Sequence, residues 1–151
     1  MWKSSMGPEP APPPSLARGS PPPPSDAVYV INPVGRIWLW QPRPGVVISR
    51  AEGRFTPSMT MAVLAFLERV EPKPLLVFHD WYAVTGYDPG ARTLFTNWMR
   101  RNPGAGEYHV AIGSKMVAMG VSVVSLATRI PVTAHTPRSL SERLARALRP
   151  G

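Results

Sequence analysis

The chain has 151 residues, a formal net charge of +8 and no cysteine. This length is typical of one domain. Without cysteine the chain can form neither disulfide bonds nor thiolate metal sites, which suits a reducing, cytoplasmic location. Met1 leads into a polar, proline-rich segment, and no apolar run approaches the roughly 18 residues of a membrane span. We therefore expect neither a secretory signal nor a transmembrane segment.

The N-terminal segment is dominated by proline. Nine of the 20 prolines fall within the first 24 residues, where they remove backbone donors and leave little to bury. We predict a disordered or polyproline-type tail over residues 1–26 and a single α/β domain over residues 27–151. The tail is either a solvated leader or a ligand for a proline-binding domain.

The positive charge belongs to the predicted domain, whose surface could attract nucleic acid, acidic lipid or an acidic protein. Most of the arginines are scattered. The densest group lies near the C-terminus and consists of Arg138, Arg143, Arg146 and Arg149. No motif of a nucleic-acid-binding class accompanies these residues. We therefore do not expect nucleic acid as a partner.

The domain opens with β-rich sequence. Three short runs are predicted as strands: 28–31, 36–40 and 46–51. The last two flank a Pro/Gly turn, which predicts an antiparallel hairpin. Apolar residues then recur at helical spacing from Met59 to Val70. Thr56 suits the N-cap of this helix, and Pro57 suits its first position.

Strands and helices alternate through the rest of the chain. Further strands are predicted at 75–78, 108–112 and 131–134, and further helices after Asp88, Ser114 and Thr136. This order predicts an α/β fold with right-handed crossovers. Its sheet is mixed and largely parallel, with an N-terminal antiparallel hairpin and about four helices.

The strand at 75–78 runs directly into His79 and Asp80. At the carboxyl end of a buried strand, both would lie at the rim where open α/β sheets place ligands. They could then act as an acid–base pair, with Ser114 as the nucleophile. Neighbours along a strand point to opposite faces, however, and Ser114 also suits a helix N-cap. We therefore expect no catalysis by these residues.

The structural alternative assigns His79 to a buried polar contact and Asp80 to bracing the loop that follows. In an intermediate interpretation, the aromatic residues Trp81, Tyr82 and Tyr87 line a rim that binds a small ligand or a partner. All of them lie in the same short stretch after the central strand. This stretch is therefore the first candidate for a functional surface.

Two segments carry a resemblance to a known family: LLVFHDWYAVTGYDPGARTLFTNWMRR and YHVAIGSKMVAMGVSVVSLATRIPVTAHTPRSLSERL. With the predicted element order, they resemble the STAS family (sulfate transporter and anti-sigma antagonist domains). More narrowly, residues 28–149 resemble the small STAS/SEC14-like proteins of bacteria. The resemblance implies a STAS-like domain that regulates a bacterial signalling partner by protein–protein interaction, without catalysis.

Family members that antagonise anti-sigma factors carry a phosphorylatable serine in an Asp-Ser-Ser-Gly turn at the start of the second helix. The matching turn here is Asp88-Pro89-Gly90, and Pro89 has no hydroxyl. The nearest hydroxyls belong to Thr85 and Tyr87. The resemblance therefore implies the docking surface of the family but not its phosphorylation switch.

Gly113-Ser114-Lys115 leads from a predicted strand into a helix, and such a turn can hold an anion on its backbone N–H groups. The phosphate-loop pattern is incomplete, because Tyr108 stands where a glycine is required. An anion site at this turn stays open as an alternative to a purely structural turn.

The histidines do not suggest a metal site. His79, His109 and His135 fall on different predicted strands without a carboxylate motif. The methionines Met116 and Met119 fit the apolar stripe of the third helix. We predict that they fill the core, and the alternative is a flexible surface for a partner.

These observations predict a non-catalytic regulatory module that binds another protein, such as an anti-sigma or signalling factor, or a second copy of itself. We expect no cofactor and no metal. One alternative is a small-ligand domain for a nucleotide or lipid, and another is a hydrolase using His79 and Asp80. The predicted contact residues are Asp80, Trp81, Tyr82, Thr85, Tyr87, Asp88, Gly113, Ser114 and Lys115.

Overall fold

The computed structural model describes residues 22–150. Of the tail predicted for residues 1–26, residues 1–21 therefore lie outside the described residues, and residues 22–26 form neither helix nor strand. The strands are β1 (Val28–Ile31), β2 (Gly35–Arg43), β3 (Val46–Phe55), β4 (Leu75–Tyr87), β5 (Gly106–Ile112) and β6 (Val132–His135). The helices are α1 (Pro57–Arg69), α2 (Pro89–Arg101), α3 (Lys115–Thr128) and α4 (Pro137–Ala147).

The strands form one six-stranded sheet whose order follows the chain from β1 to β6. Strands β1, β2 and β3 pair in an antiparallel manner. From β3 to β6 every pairing is parallel. This confirms the predicted mixed α/β fold, with its antiparallel N-terminal part and four helices.

The helix starts follow from local side-chain chemistry. Thr56, Ser114 and Thr136 each accept a hydrogen bond from the backbone N–H three residues further on. These bonds satisfy donors that the first helical turn leaves without an intrahelical partner. Asp88 holds the same position at α2 but makes no such bond. Its carboxylate forms an ion pair with Arg54 on β3 instead.

The helices cover both faces of the sheet. Helices α1, α2 and α3 pack side by side on one face, and α4 packs on β4, β5 and β6 from the other. The side chains of β2 point alternately to the two faces of the sheet. Ile37 and Leu39 belong to the core under α1. Trp38 and Trp40 belong to the core on the side of α4. None of the helices within residues 22–150 has the length and apolarity of a membrane span.

Strand β4 is much longer than predicted. It continues for 13 residues to Tyr87, where the sequence indicated a loop after residue 78. Beyond Trp81 it no longer pairs with β5, but it stays paired with β3 as far as Phe55 and Tyr87. Exposure alternates over this extension, because Thr85 is exposed while Val84 and Gly86 are buried. The prediction of a loop over Tyr82–Tyr87 is therefore wrong.

Candidate functional site

His79 and Asp80 lie inside β4 rather than at its end, so the prediction that they sit at the rim is wrong. Their side chains leave opposite faces of the sheet, as strand alternation predicted. His79 stacks on Trp81 under the helices α1–α3, with ring centroids 4.2 Å apart. Asp80 pairs with Arg50 on the other face. The two side chains therefore do not form an acid–base pair for one substrate.

His79 belongs to a buried chain of hydrogen bonds. Ser49 Oγ lies 3.0 Å from Trp81 Nε1 and 2.5 Å from His79 Nδ1. The indole N–H can only donate, so the arrangement that satisfies all three groups has Ser49 accept from Trp81 and donate to His79. The imidazole proton then resides on Nε2. Complete burial lowers the pKa of His79 to about 3, and the ring is neutral at physiological pH.

Asp80 forms a buried ion pair with Arg50. The Arg50 Nε atom is 3.3 Å from Asp80 Oδ2, and the two side chains are 3% and 5% exposed. Burial raises the pKa of Asp80 in spite of Arg50, and burial likewise lowers the pKa of Arg50. Desolvation therefore outweighs the pairing at both groups. Asp80 also accepts from the backbone N–H of Tyr82, which belongs to strand β4 and not to the predicted loop.

The other predicted contact residues of this segment differ in exposure. Tyr82 and Thr85 are exposed, whereas Trp81 is buried. Tyr87 is half-buried and packs on α3, where a Cβ added at Gly120 would lie 2.6 Å from its ring. Tyr82 and Thr85 are thus the members of the segment that a partner can contact directly.

The turn Gly113-Ser114-Lys115 places the start of α3 beside Tyr82. A Cβ at Gly113 would lie 2.5 Å from the carbonyl oxygen of Tyr82, so only glycine permits this approach. Ser114 caps α3 by accepting from the backbone N–H of Val117. Lys115 is exposed. The exposed Tyr82 therefore lies beside Gly113, two residues before the exposed Lys115 at the beginning of α3.

Helix α3 carries apolar residues on two faces. Its inner face is formed by Val117, Gly120 and Val124, all buried. Four large apolar side chains point outward, and we call them the α3 stripe: Met116 (61% exposed), Met119 (67%), Val123 (41%) and Leu126 (79%). The prediction that Met116 and Met119 fill the core is therefore wrong. Close packing of Gly120 on Tyr87 fixes the rotation of α3 and turns both methionines outward.

The surroundings of the α3 stripe are basic. From Met116 to Thr128 the helix contains no charged residue. Lys115 and Arg129 stand at its two ends, and Arg100 of α2 donates to the carbonyl of Ala127. Helices α2 and α3 contain no aspartate or glutamate. An uncharged run of this length on a surface helix is the sequence signal for the stripe.

A small cavity lies between the sheet and the helices α2 and α3, with a volume of about 80 Å³. Its wall includes the packed rings of Phe55, Trp81 and Phe95, whose centroids are 4.8 to 5.8 Å apart. His79 also lines the cavity. Arg92 is the charged member of the lining that the structure describes. No local sequence pattern indicates this cavity, because its walls come from distant segments.

On the opposite face, two of the three histidines come together. His109 Nδ1 is 2.8 Å from His135 Nε2, His109 Nε2 is 2.5 Å from Glu107, and His135 Nδ1 is 2.6 Å from Ser139 Oγ. The hydrogen bond from His109 lowers the pKa of Glu107. This carboxylate can only accept, so His109 donates to Glu107. By the same order His135 donates to His109, and Ser139 donates to His135. We interpret this series of hydrogen bonds as a structural connection between β5, β6 and α4.

Within residues 22–150, no group of three or more histidine, aspartate or glutamate residues is arranged to hold a metal ion. Comparisons of the chain with protein-family models, curated proteins and solved structures gave no match. The STAS resemblance therefore stays a prediction that depends on the two quoted segments and the order of the elements.

Proposed function

We propose that this domain is a non-catalytic module that binds another protein through the α3 stripe and the adjoining residues Tyr82 and Lys115. The observation that carries the proposal is the exposure of four large apolar side chains along one helix. Soluble proteins seldom expose contiguous apolar surface except where they bind. Covering each such side chain contributes up to about 1.5–3 kcal/mol.

The charges around the stripe indicate the chemistry of the partner. Lys115, Arg129 and Arg100 are exposed at its borders. We therefore propose a partner surface that is apolar at its centre and acidic at its edges, since complementary charge speeds association and excludes wrong partners. A second copy of the chain is a less favourable partner, because the basic residues at the borders of one stripe would face those of the other.

Two residues of the originally predicted contact surface take a supporting role in this proposal. Tyr87 holds α3 in place through Gly120, and Asp88 is paired with Arg54. The contact surface is thus displaced from the loop predicted after the central strand to the outer face of α3. The STAS resemblance independently favours a signalling protein as the partner.

A charged side chain within the α3 stripe should prevent partner binding. Met119→Glu introduces a charge in the middle of the stripe, and we expect it to abolish the capture of a specific partner from native extract by the immobilised chain. Met61→Glu on α1 is the matched control, because Met61 is also an exposed helical methionine (53% exposed). Quantitative mass spectrometry of the captured proteins and circular dichroism of both variants provide the measurement.

The partner is then identified, purified and tested alone. We expect its binding to weaken as salt rises, because surface charge attraction is screened, and to weaken with Lys115→Gln.

Two further experiments test whether the α3 stripe binds something other than an acidic protein. A dimer in sedimentation equilibrium that Met119→Glu dissociates would replace the acidic partner by a second copy. Binding to anionic phospholipid vesicles that Met119→Glu removes would replace it by a membrane surface. Equal capture by both methionine variants would refute the stripe as a contact surface.

A further inference from the structure

The cavity beneath α2 and α3 has features that packing alone does not explain. Its volume of about 80 Å³ is several times the roughly 10–15 Å³ that a cavity needs in order to hold one water molecule. The aromatic wall formed by Phe55, Trp81 and Phe95 suits hydrocarbon rather than water, because apolar cavities of this kind stay dry and accept small organic molecules. The interior thus fits a short aliphatic chain.

One polar atom of the cavity wall lacks a partner. Ser49 occupies Nδ1 of His79, and within the part of the chain that the structure describes nothing hydrogen-bonds to Nε2, which carries the imidazole proton. His79 is only 5% exposed and lines the cavity. The fully buried polar atoms without a partner do not include Nε2, so this N–H faces accessible space and is free to donate to a bound molecule. A ligand with an oxygen acceptor on its chain would satisfy this N–H.

The wall of the cavity carries a positive charge, that of Arg92. Arg92 is half-buried, and its Nη1 atom lies 3.5 Å from the Tyr87 hydroxyl. Its guanidinium carbon is 6.0 Å from the centroid of the Tyr87 ring. Among residues 22–150 no carboxylate lies within ion-pair distance of Arg92. An arginine and a phenol on the wall of an apolar cavity suit a carboxylate, which accepts hydrogen bonds from both.

We propose that this cavity binds a short oxo- or hydroxy-carboxylate. Its carboxylate would contact Arg92 and the Tyr87 hydroxyl, its aliphatic carbons the aromatic wall, and its chain oxygen His79 Nε2. This site is separate from the α3 stripe and does not depend on the proposed protein contact. For a ligand with so few atoms we expect a Kd on the order of 1 mM.

The test is an NMR titration that follows the indole N–H of Trp81, which lies on the cavity wall. Three probes of similar size are compared: 4-oxopentanoate has both polar groups, pentanoate lacks the inner oxygen, and 2-pentanone lacks the carboxylate. We expect saturable shifts with 4-oxopentanoate and binding weaker by about tenfold for each of the other two, since each loses one hydrogen-bonded group. Equal affinities, or no saturation by any probe, would overturn the proposal.

Two variants connect the binding to the cavity. Arg92→Gln keeps the cavity but removes the charge, and we expect it to weaken 4-oxopentanoate by about tenfold while 2-pentanone is unaffected. Val121→Phe occupies space at a half-buried position of the lining and should weaken all three probes. Unchanged binding by Arg92→Gln would overturn the proposal. Met119→Glu should bind 4-oxopentanoate normally, so a failure of the protein-contact proposal would leave this one standing.

Discussion

Replacing Arg50 by methionine should lower the free energy of unfolding by about 3–5 kcal/mol, because the carboxylate of Asp80 then stays buried without a counter-charge. Both side chains are almost completely buried, so water cannot take over the role of the guanidinium. Urea unfolding at neutral pH measures the loss. The pKa of Asp80, already raised by burial, should rise further in this variant. The difference in free energy of unfolding between the wild type and the variant should therefore shrink as the pH is lowered.

The control for this prediction is a variant in which both partners of the ion pair are replaced. The double variant Arg50→Met with Asp80→Leu removes both charges and leaves side chains of apolar character. We expect it to lose less stability than Arg50→Met alone, because replacing both partners of a buried ion pair is better tolerated than removing one. A single variant within about 1 kcal/mol of the wild type would show that the pair behaves like an exposed salt bridge.

The second large effect should appear on acidification and comes from His79. Its pKa in the folded protein is about 3, against an ordinary value of 6.5. Between these values the unfolded chain binds a proton that the folded protein does not. The stabilisation is therefore complete above pH 6.5 and declines by about 1.4 kcal/mol for each unit that the pH falls toward 3. The total loss is on the order of 5 kcal/mol.

The matched variant is His79→Gln, which keeps a polar side chain next to Ser49 but does not titrate. Urea midpoints of both proteins between pH 7 and pH 4 give the measurement. We expect the advantage of the wild type to decrease as the pH falls. The raised pKa of Asp80 acts in the opposite direction and the lowered pKa of His135 in the same direction, but both groups are present in the two proteins. Parallel pH profiles would mean that the pKa of His79 is the same in the folded protein and in the unfolded chain.

The sequence predicted best what local chemistry determines. Thr56, Ser114 and Thr136 could be assigned as N-caps because a short hydroxyl side chain at a helix start has one favourable use. The divergence of His79 and Asp80 also followed from the alternation of a strand. The helices and the mixed sheet were recovered from the same kind of reasoning, since each depends on spacing within a few residues.

What the sequence could not predict depends on contacts between distant segments. Strand β4 continues through Tyr82–Tyr87 because β3 offers a partner for it, and no local signal in the Thr85-Gly86 region indicates this pairing. The ion pair of Arg50 with Asp80 likewise requires the register of two strands that are 30 residues apart. Helical spacing also failed to orient α3, because a helix with apolar residues on two faces fits the core in either rotation.

The monotonic order of the strands has a consequence for where this protein can bind. Doubly wound α/β proteins place their ligands in the crevice that opens at a topological switch point, where successive crossovers leave in opposite directions. Here each strand from β3 to β6 is added beside its predecessor, and the three crossover helices all pack on the same face. No such crevice arises among the described strands, so we expect any recognition by this domain to use its helices and the space beneath them.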